Sequence, residues 1–537
     1  MKHGLRMVLL IWTLLLAACA GGAAATPSAN NEITTEPTQR PALSVPTTLP
    51  EVAVEETRVV VVGSAVAEPT LFETTWQDRE IFRAGLVTGE QGVLDQLPGA
   101  PVYHLDLEIE AGNSVVNGRQ QLLYTNQENA PLHEIYFHLF PNLLGGTIEV
   151  SNVLVNGETA IPAYESFNNS EMRLPLAGSL RPGEQVVIQL DFVTTVPLES
   201  GRNYGVFAYL EDILALAHFY PQVAVYDDEG WNVETPAEGG DVTYADVGFY
   251  LVRVSAPADL VMAASGIEVR QEKTADTQTV TFAGGPVRDF YLAASDRYER
   301  MSQTVGEVTI NSYAPAEYAL GSAEALGFAI KAVEDYSGRF APYPFTELDI
   351  VTTPTLALGI EYPGIIANRL AIYGSDQSTG GTPNQILLES TTAHEVGHQW
   401  FYSLVGNDQL DEPWLDESLT QYATYLYYFD QYGQEGAEAF YQSLEGRWNR
   451  TEGADVPIGL PVAAYSGTEY GSIIYGRGPI FFVQLAQTMG QTTFNDFLRD
   501  YTKVHKWGIA TTASLKQIAE AHCNCDLTPM FETWVYP

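Results

Sequence analysis

The stretch Thr391–Thr420 reads TTAHEVGHQWFYSLVGNDQLDEPWLDESLT, and its spacing decides how the rest of the chain is read. His394, Glu395 and His398 stand in the order H-E-x-x-H, and Glu417 follows His398 after 18 intervening residues. Four residues along a helix is about one turn, so the two imidazoles share a face and reach one Zn²⁺, while the carboxylate beside the first reaches a water on that ion. A second helix can add Glu417 as third ligand. Three protein ligands leave one position of a tetrahedral ion open, which separates a catalytic zinc from a structural one. Two core histidines and a surface acid would need neither this order nor this spacing.

Around this stretch the pattern predicts helices. Thr382-Pro383 supplies an N-cap with proline at the first helical position, and the helix it starts is expected to run through His394 and His398 to near Gly406. Pro413 starts the next one, which carries Glu417 in its first turns and continues to about Gly433. Upstream, Ser322 to Tyr336 has helical periodicity ending at Gly338, and Thr346 to Thr352 reads as a buried strand. Residues 299–537 are therefore expected to form one mainly helical domain.

Residues 100–298 have another rhythm. Tyr103, Leu105, Leu107 and Ile109 alternate with His104, Asp106, Glu108 and Glu110, the period of a half-buried strand, and similar runs recur between turn signals such as Asn156-Gly157. This region reads as an all-β domain, preceded by a helical or irregular entry segment over 71–99. Within it His133 and His138 imitate a metal motif, but five residues apart on a strand they point to opposite faces.

The front of the chain reads as targeting. Lys2 and Arg6 precede an apolar run from Met7 to Ala18, too short to span a bilayer, and Leu16-Ala17-Ala18-Cys19 is similar to the lipobox of bacterial lipoproteins. Residues 1–19 are thus expected to be a lipoprotein signal with Cys19 lipidated. Residues 20–70, rich in Thr, Pro and Ala, are expected to form a disordered tether. The expected location is the bacterial cell envelope, anchored by lipid and facing the extracytoplasmic side. A formal charge of −41 with only 26 Lys and Arg excludes nucleic acid as a natural partner, because phosphate binding needs clustered cations. Of three cysteines, Cys523 and Cys525 remain; a local disulfide and two separate thiols are both compatible with their spacing.

Two neutral imidazoles and one carboxylate leave a zinc site with net charge near +1, which lowers the pKa of bound water from about 15.7 to about 7. Glu395 is placed to take that proton and later deliver it to a leaving amine. The developing oxyanion needs a further donor.

On these residues the sequence resembles the M1 aminopeptidase family of gluzincin metallopeptidases. HEVGHQWFYSLVGND and EPWLDESLTQY resemble the family's zinc helices, LGIEYPGII (Leu358–Ile366) its exopeptidase motif, and YGSIIYGRGPIFF the segment bearing its catalytic tyrosine. The all-β region is similar to the family's saddle-shaped domain, and YSGRFAPYPF to its passage into a thermolysin-like catalytic domain. The implied fold is α+β and multidomain. The resemblance implies His394, His398 and Glu417 as ligands of one zinc ion, Glu395 as general base, and Tyr475 as oxyanion donor, with Tyr465 and Tyr470 as competing tyrosines. Arg477 stands where the family usually has Lys. Glu361 matches the glutamate that holds the substrate's free α-ammonium; Leu358, Ile360 and Tyr362 depart from the motif around it. The backbone of Gly359 and Ile360 is expected to contact peptide, and Gln222 or His218 to help hold the amine. The chain ends 62 residues after Tyr475, so a more open, two-domain body is expected.

The function implied is zinc-dependent removal of N-terminal residues from peptides with a free N-terminus. A zinc endopeptidase of the same class and a catalytically idle scaffold of M1-like shape are the alternatives.

Overall fold

The computed structural model describes residues 71–537 apart from 74, 111, 202, 238, 239, 241 and 243. The expected signal segment, Cys19 and the tether to residue 70 lie outside the described residues. Among the described residues no helix is long and apolar enough to cross a membrane.

The alternating run Val102–Ile109 forms a strand that buries Leu105, Leu107 and Ile109 and leaves Glu108 exposed. It lies inside an eight-stranded sheet, ordered Ile267–Lys273, Thr277–Val287, Gly248–Pro257, Val102–Ile109, Val115–Thr125, Gln185–Thr195, Thr147–Val155 and Glu158–Thr159. Its pairing with Gly248–Pro257 is parallel, and with Val115–Thr125 antiparallel. Two four-stranded sheets and the two-stranded pair Tyr226–Asp227 and Gly230–Trp231 accompany it; one four-stranded sheet contains Phe207–Leu210, Ile213–Leu216 and Leu292–Ser295, the other Gln222–Val223 beside Leu132–His138. In the latter strand His133 is exposed while His138 stacks on Phe140. The lead-in forms short 3₁₀ turns at Glu80–Gly85 and Gln91–Asp95, which bury Phe82 and Leu94.

The second half contains more strand than the sequence suggested. A five-stranded sheet runs Tyr298–Val305, Val308–Pro315, Glu347–Thr353, Ile365–Arg369 and Gly359–Tyr362, with the last at its edge. Only the middle strand carries a buried apolar run plain enough to be read alone; Gly359–Tyr362 is four residues long.

Helix α1, Ala319–Arg339, packs Ala325, Ala329, Ala332 and Tyr336 inward, and the Tyr336 hydroxyl donates to the Ala393 carbonyl at 3.0 Å. Helix α2, Asn384–Gly397, starts one residue later than the Thr382 cap predicted and ends nine residues before Gly406. Pro383 is the N-cap instead, its backbone extended and paired with Ser378 in a two-residue ladder. After Gly397 the chain turns sharply: Ser403 N–H donates to the His398 carbonyl at 2.9 Å and Val405 N–H to Trp400 at 2.9 Å.

Helix α3, Glu417–Trp448, begins at Glu417 itself and passes through Gly433, which holds φ 65° and ψ −158°. The backbone leaves helical geometry there, so the first helical segment ends at Gly433 as expected and a second continues to Trp448. Gly397 lets α2 and α3 meet closely, since a Cβ there would stand 2.8 Å from Thr420 Cγ2. Helix α4, Gly467–Ser472, opens with a capping box of Ser466 and Glu469. It leads into a π-helical turn over Ile473–Arg477, and helix α5, Gly478–Met489, follows. Cys523 and Cys525 form a disulfide.

Candidate active site

Helices α2 and α3 bring three ligand atoms together. His394 Nε2 lies 3.1 Å from Glu417 Oε2, His398 Nε2 lies 3.4 Å from the same oxygen, and the two Nε2 atoms are 3.2 Å apart. A tetrahedral ion with bonds of about 2.0–2.1 Å requires ligand atoms about 3.3 Å apart, so the residues fit zinc in spacing and in donor type. All three residues are buried. His398 Nδ1 donates to the Phe401 carbonyl at 3.0 Å, which directs the lone pair of Nε2 to the ligand cluster. The sharp turn after α2 supplies that carbonyl.

The electrostatics suit a site made for a cation. Burial pulls the His394 imidazole down to about 4, so it is neutral and free to ligate. Burial opposes ionisation of Glu417, yet hydrogen bonds from His394 and His398 outweigh it and hold that carboxyl well below its usual range. Glu395 is pushed upward by burial and then by the charge of Glu361.

Glu361 enters from the edge strand Gly359–Tyr362, where it pairs with Ile366. Ligand atoms of Glu361, Glu395 and His398 lie within 4.8 Å of one another. Gln409 Nε2 donates to Glu361 Oε1 at 3.3 Å and to Asp416 Oδ2 at 2.6 Å, and so links the Glu361 carboxylate to the base of α3. Gly359 faces Glu395 directly, for a Cβ there would stand 2.4 Å from Glu395 Oε1.

Tyr475 sits in the π-helical turn, and its hydroxyl donates to Glu417 Oε1. Single π-turns inside helices recur at functional sites because they redirect one side chain without ending the element. Ser418 Oγ, one residue past Glu417, donates to the Ile474 carbonyl at 2.6 Å and ties this turn to α3. Of the competing tyrosines, Tyr465 turns away: its hydroxyl donates to the Pro457 carbonyl at 2.8 Å and accepts from Leu460 N–H at 3.2 Å. Tyr470 packs edge-on against the Tyr475 ring. Arg477 faces the other way, donating to the carbonyls of Val456, Trp534 and Thr533.

His394, Glu395, Glu417, Glu361, Gly359 and Tyr475 line one cleft of about 540 Å³. Gln222, expected to help hold the amine, is not among the residues lining it. Its strand pairs with His138, and its Nε2 donates to the Arg288 carbonyl at 3.4 Å, behind the cleft wall. The alternative, His218, does line the cleft. Sequence reasoning did not reach Gln409 or Asp289, which also line it. Gln409 lies inside the stretch that decided the fold, eight residues before Glu417, whereas Asp289 comes from the β-rich half with no motif around it.

Residues 324–534 match the model of the Peptidase family M1 domain. The chain is 23% identical over 306 residues to Aminopeptidase M1-B of Oryza sativa subsp. japonica, and 24% identical over 302 residues to Aminopeptidase M1 of Arabidopsis thaliana. Each alignment covers 53% of this chain, and 34% and 33% of those proteins, so the chain spans about a third of the length of these relatives. Among solved structures it is similar to the M1 zinc metallopeptidase from Deinococcus radiodurans, with TM-score 0.62 and 20% identity over 82% of this chain and 94% of that one. A mutant of the same protein bound to a Tyr-Ser-Ala substrate gives TM-score 0.61 at 21% identity, over 81% and 93%. At such identity the likeness shows the fold, a β-rich half followed by a helical half. Residues 324–534 thus carry a match to the M1 peptidase domain, on a fold shared with M1 zinc metallopeptidases.

Proposed function

We infer that the protein is a zinc aminopeptidase, holding one Zn²⁺ on His394, His398 and Glu417 and removing the first residue of peptides. When bound, zinc supplies a Lewis acid and lowers the pKa of water toward neutrality. Glu395, beside the first ligand and pressed against Gly359, takes the proton of the attacking water and passes it to the leaving amine. The Tyr475 hydroxyl donates to the oxyanion that develops at the scissile carbonyl.

One observation carries the choice of aminopeptidase over endopeptidase. Glu361 places a buried carboxylate within 4.8 Å of Glu395 and His398, inside the same cleft. A carboxylate about 4 Å from an ammonium gains roughly 4 kcal/mol at an effective dielectric of about 20, enough to fix a peptide's register by one residue. A passing internal peptide bond offers no such cation. The names of the matched relatives, aminopeptidases, agree with this reading.

Replacing Glu395→Gln tests the mechanism. The variant is expected to bind zinc with unchanged stoichiometry and to lose hydrolysis of peptides by at least about a thousandfold; full activity with zinc bound would remove Glu395 from the base role.

The lipid anchor at Cys19 and the placement in the cell envelope are proposed on the sequence alone. Labelled palmitate incorporated into the wild type and absent from Cys19→Ala is the expected result, and equal labelling of both would refute it.

A further inference from the structure

The cleft has one more buried carboxylate, beside Glu361, Glu395 and Glu417, whose surroundings point to a ligand. Asp289, only 2% exposed, lines the cleft from the loop between strands Thr277–Val287 and Leu292–Ser295. Together with its neighbour it grips Tyr402, four residues past His398. Arg288 Nε donates to the Tyr402 carbonyl at 2.6 Å, and the Tyr402 hydroxyl donates to Asp289 Oδ2 at 2.7 Å. Tyr402 has a φ of 142°, a backbone conformation rare for a residue with a side chain, so this two-ended grip maintains an unfavourable geometry on the cleft wall.

The remaining oxygen, Asp289 Oδ1, is buried with no hydrogen-bond partner among the described residues. Buried carboxylate oxygens are nearly always satisfied, and an orphan on a cleft wall calls for a donor from outside. Arg288 does not fill that need. Its other donors go to the carbonyls of Ala245 at 2.9 Å and Gly508 at 2.6 Å. Burial pushes the Asp289 carboxyl up to about 7, against the Tyr402 hydrogen bond and the nearby Arg288 charge, so a cation arriving at Oδ1 would restore its ionised form.

Glu361 and Asp289 both act on Tyr402, whose hydroxyl is raised by burial, then by Asp289, and further by Glu361. With Glu395 and Glu417 assigned to base and zinc ligand, Glu361 and Asp289 are the cleft carboxylates left over, and they match a ligand with two positive groups, which a basic first residue has in its α-ammonium and its side-chain cation. Apolar neighbours in the cleft, Val206 and Ala357 among them, suit the aliphatic stem of such a side chain.

We propose that Asp289 is a specificity-determining residue that receives the cationic side chain of a first-position arginine or lysine. The proposal rests on the aminopeptidase reading for its substrate, and its test separates the two. Zinc-loaded wild type and Asp289→Asn are assayed on fluorogenic amides of arginine, lysine, leucine and methionine, and L-argininamide and L-leucinamide are titrated by calorimetry into zinc-loaded Glu395→Gln. Wild type is expected to favour arginine and lysine over leucine at least tenfold in kcat/KM, and Asp289→Asn to lower that ratio at least tenfold. Argininamide is expected to bind Glu395→Gln at least tenfold tighter than leucinamide. A wild type indifferent to the side chain or favouring leucine, or a ratio unchanged in Asp289→Asn, overturns the proposal. Equal loss on every amide overturns it too, because that would make Asp289 an anchor of the α-ammonium or a structural prop. If Asp289→Asn does not fold, the wild-type ranking and the calorimetric ratio decide. If no amide is turned over, the aminopeptidase reading fails, and the calorimetric ratio alone decides whether Asp289 selects cations.

Discussion

Gly359 and Glu395 are in such close apposition that any side chain at the first would occupy the space of the second: a Cβ on Gly359 would stand 2.4 Å from Glu395 Oε1 and 2.6 Å from its Cδ. The edge strand that delivers Glu361 thus also sets the position of the Glu395 carboxylate. Gly359→Ala should leave zinc content and thermal stability near wild type while lowering kcat about a hundredfold, the usual scale for a misplaced catalytic group. Steady-state kinetics beside metal analysis check this, and an unchanged kcat would show that Glu395 has room to adapt.

Tyr475 and Tyr465 should separate by type of defect. Tyr475→Phe is expected to lower kcat by about 10²- to 10³-fold with little change in KM, the loss typical of one oxyanion donor. Tyr465→Phe loses a hydroxyl that bridges Pro457 and Leu460, so it should cost about 1 kcal/mol of stability and leave kcat within a few-fold. The reverse pattern would exchange their roles.

Much of the site was legible because its parts are local. Two imidazoles at positions i and i+4 share a helix face whatever surrounds them, and Glu417 follows in the same stretch. The end of α2 was not legible. Gly406 looked like the natural stop, but the chain leaves the helix after Gly397 through a turn in which Tyr402 takes φ 142°, held by Arg288 and Asp289 from more than a hundred residues earlier. No local pattern encodes a grip of that kind. Gln222 was expected from the resemblance rather than from a local pattern, and it pairs with His138 outside the cleft lining. In the second half, the five-stranded sheet's edges, Tyr298–Val305 and Gly359–Tyr362, are largely exposed or short, and in the interior strand Val308–Pro315 the buried Asn311 and Ser312 interrupt the apolar run that marks a buried strand.

Arg477 stands where a conservative exchange with Lys would seem harmless. Its guanidinium instead donates to three carbonyls and lies 4.6 Å from the Trp534 ring centroid, pinning the C-terminal segment to the turn that carries Tyr475. A lysine offers one point charge and cannot reproduce a planar fork. Arg477→Lys should therefore destabilise the protein by about 2–4 kcal/mol, read by denaturant unfolding, while the folded fraction keeps its Glu395 chemistry. Stability equal to wild type would mean that those carbonyls find other partners.

The central claim is that a carboxylate in the cleft reads a free amino terminus, and the most direct measurement compares one peptide with and without an N-acetyl group on zinc-loaded wild type and Glu361→Gln. With the free peptide the wild type should release the first residue, with kcat/KM at least about 10³-fold above that for the acetylated peptide, by the roughly 4 kcal/mol expected of the ion pair. Glu361→Gln should lose most of that advantage while still binding zinc. Equal turnover of blocked and free peptides by the wild type, with cleavage at internal bonds, would contradict the account and make the protein an endopeptidase.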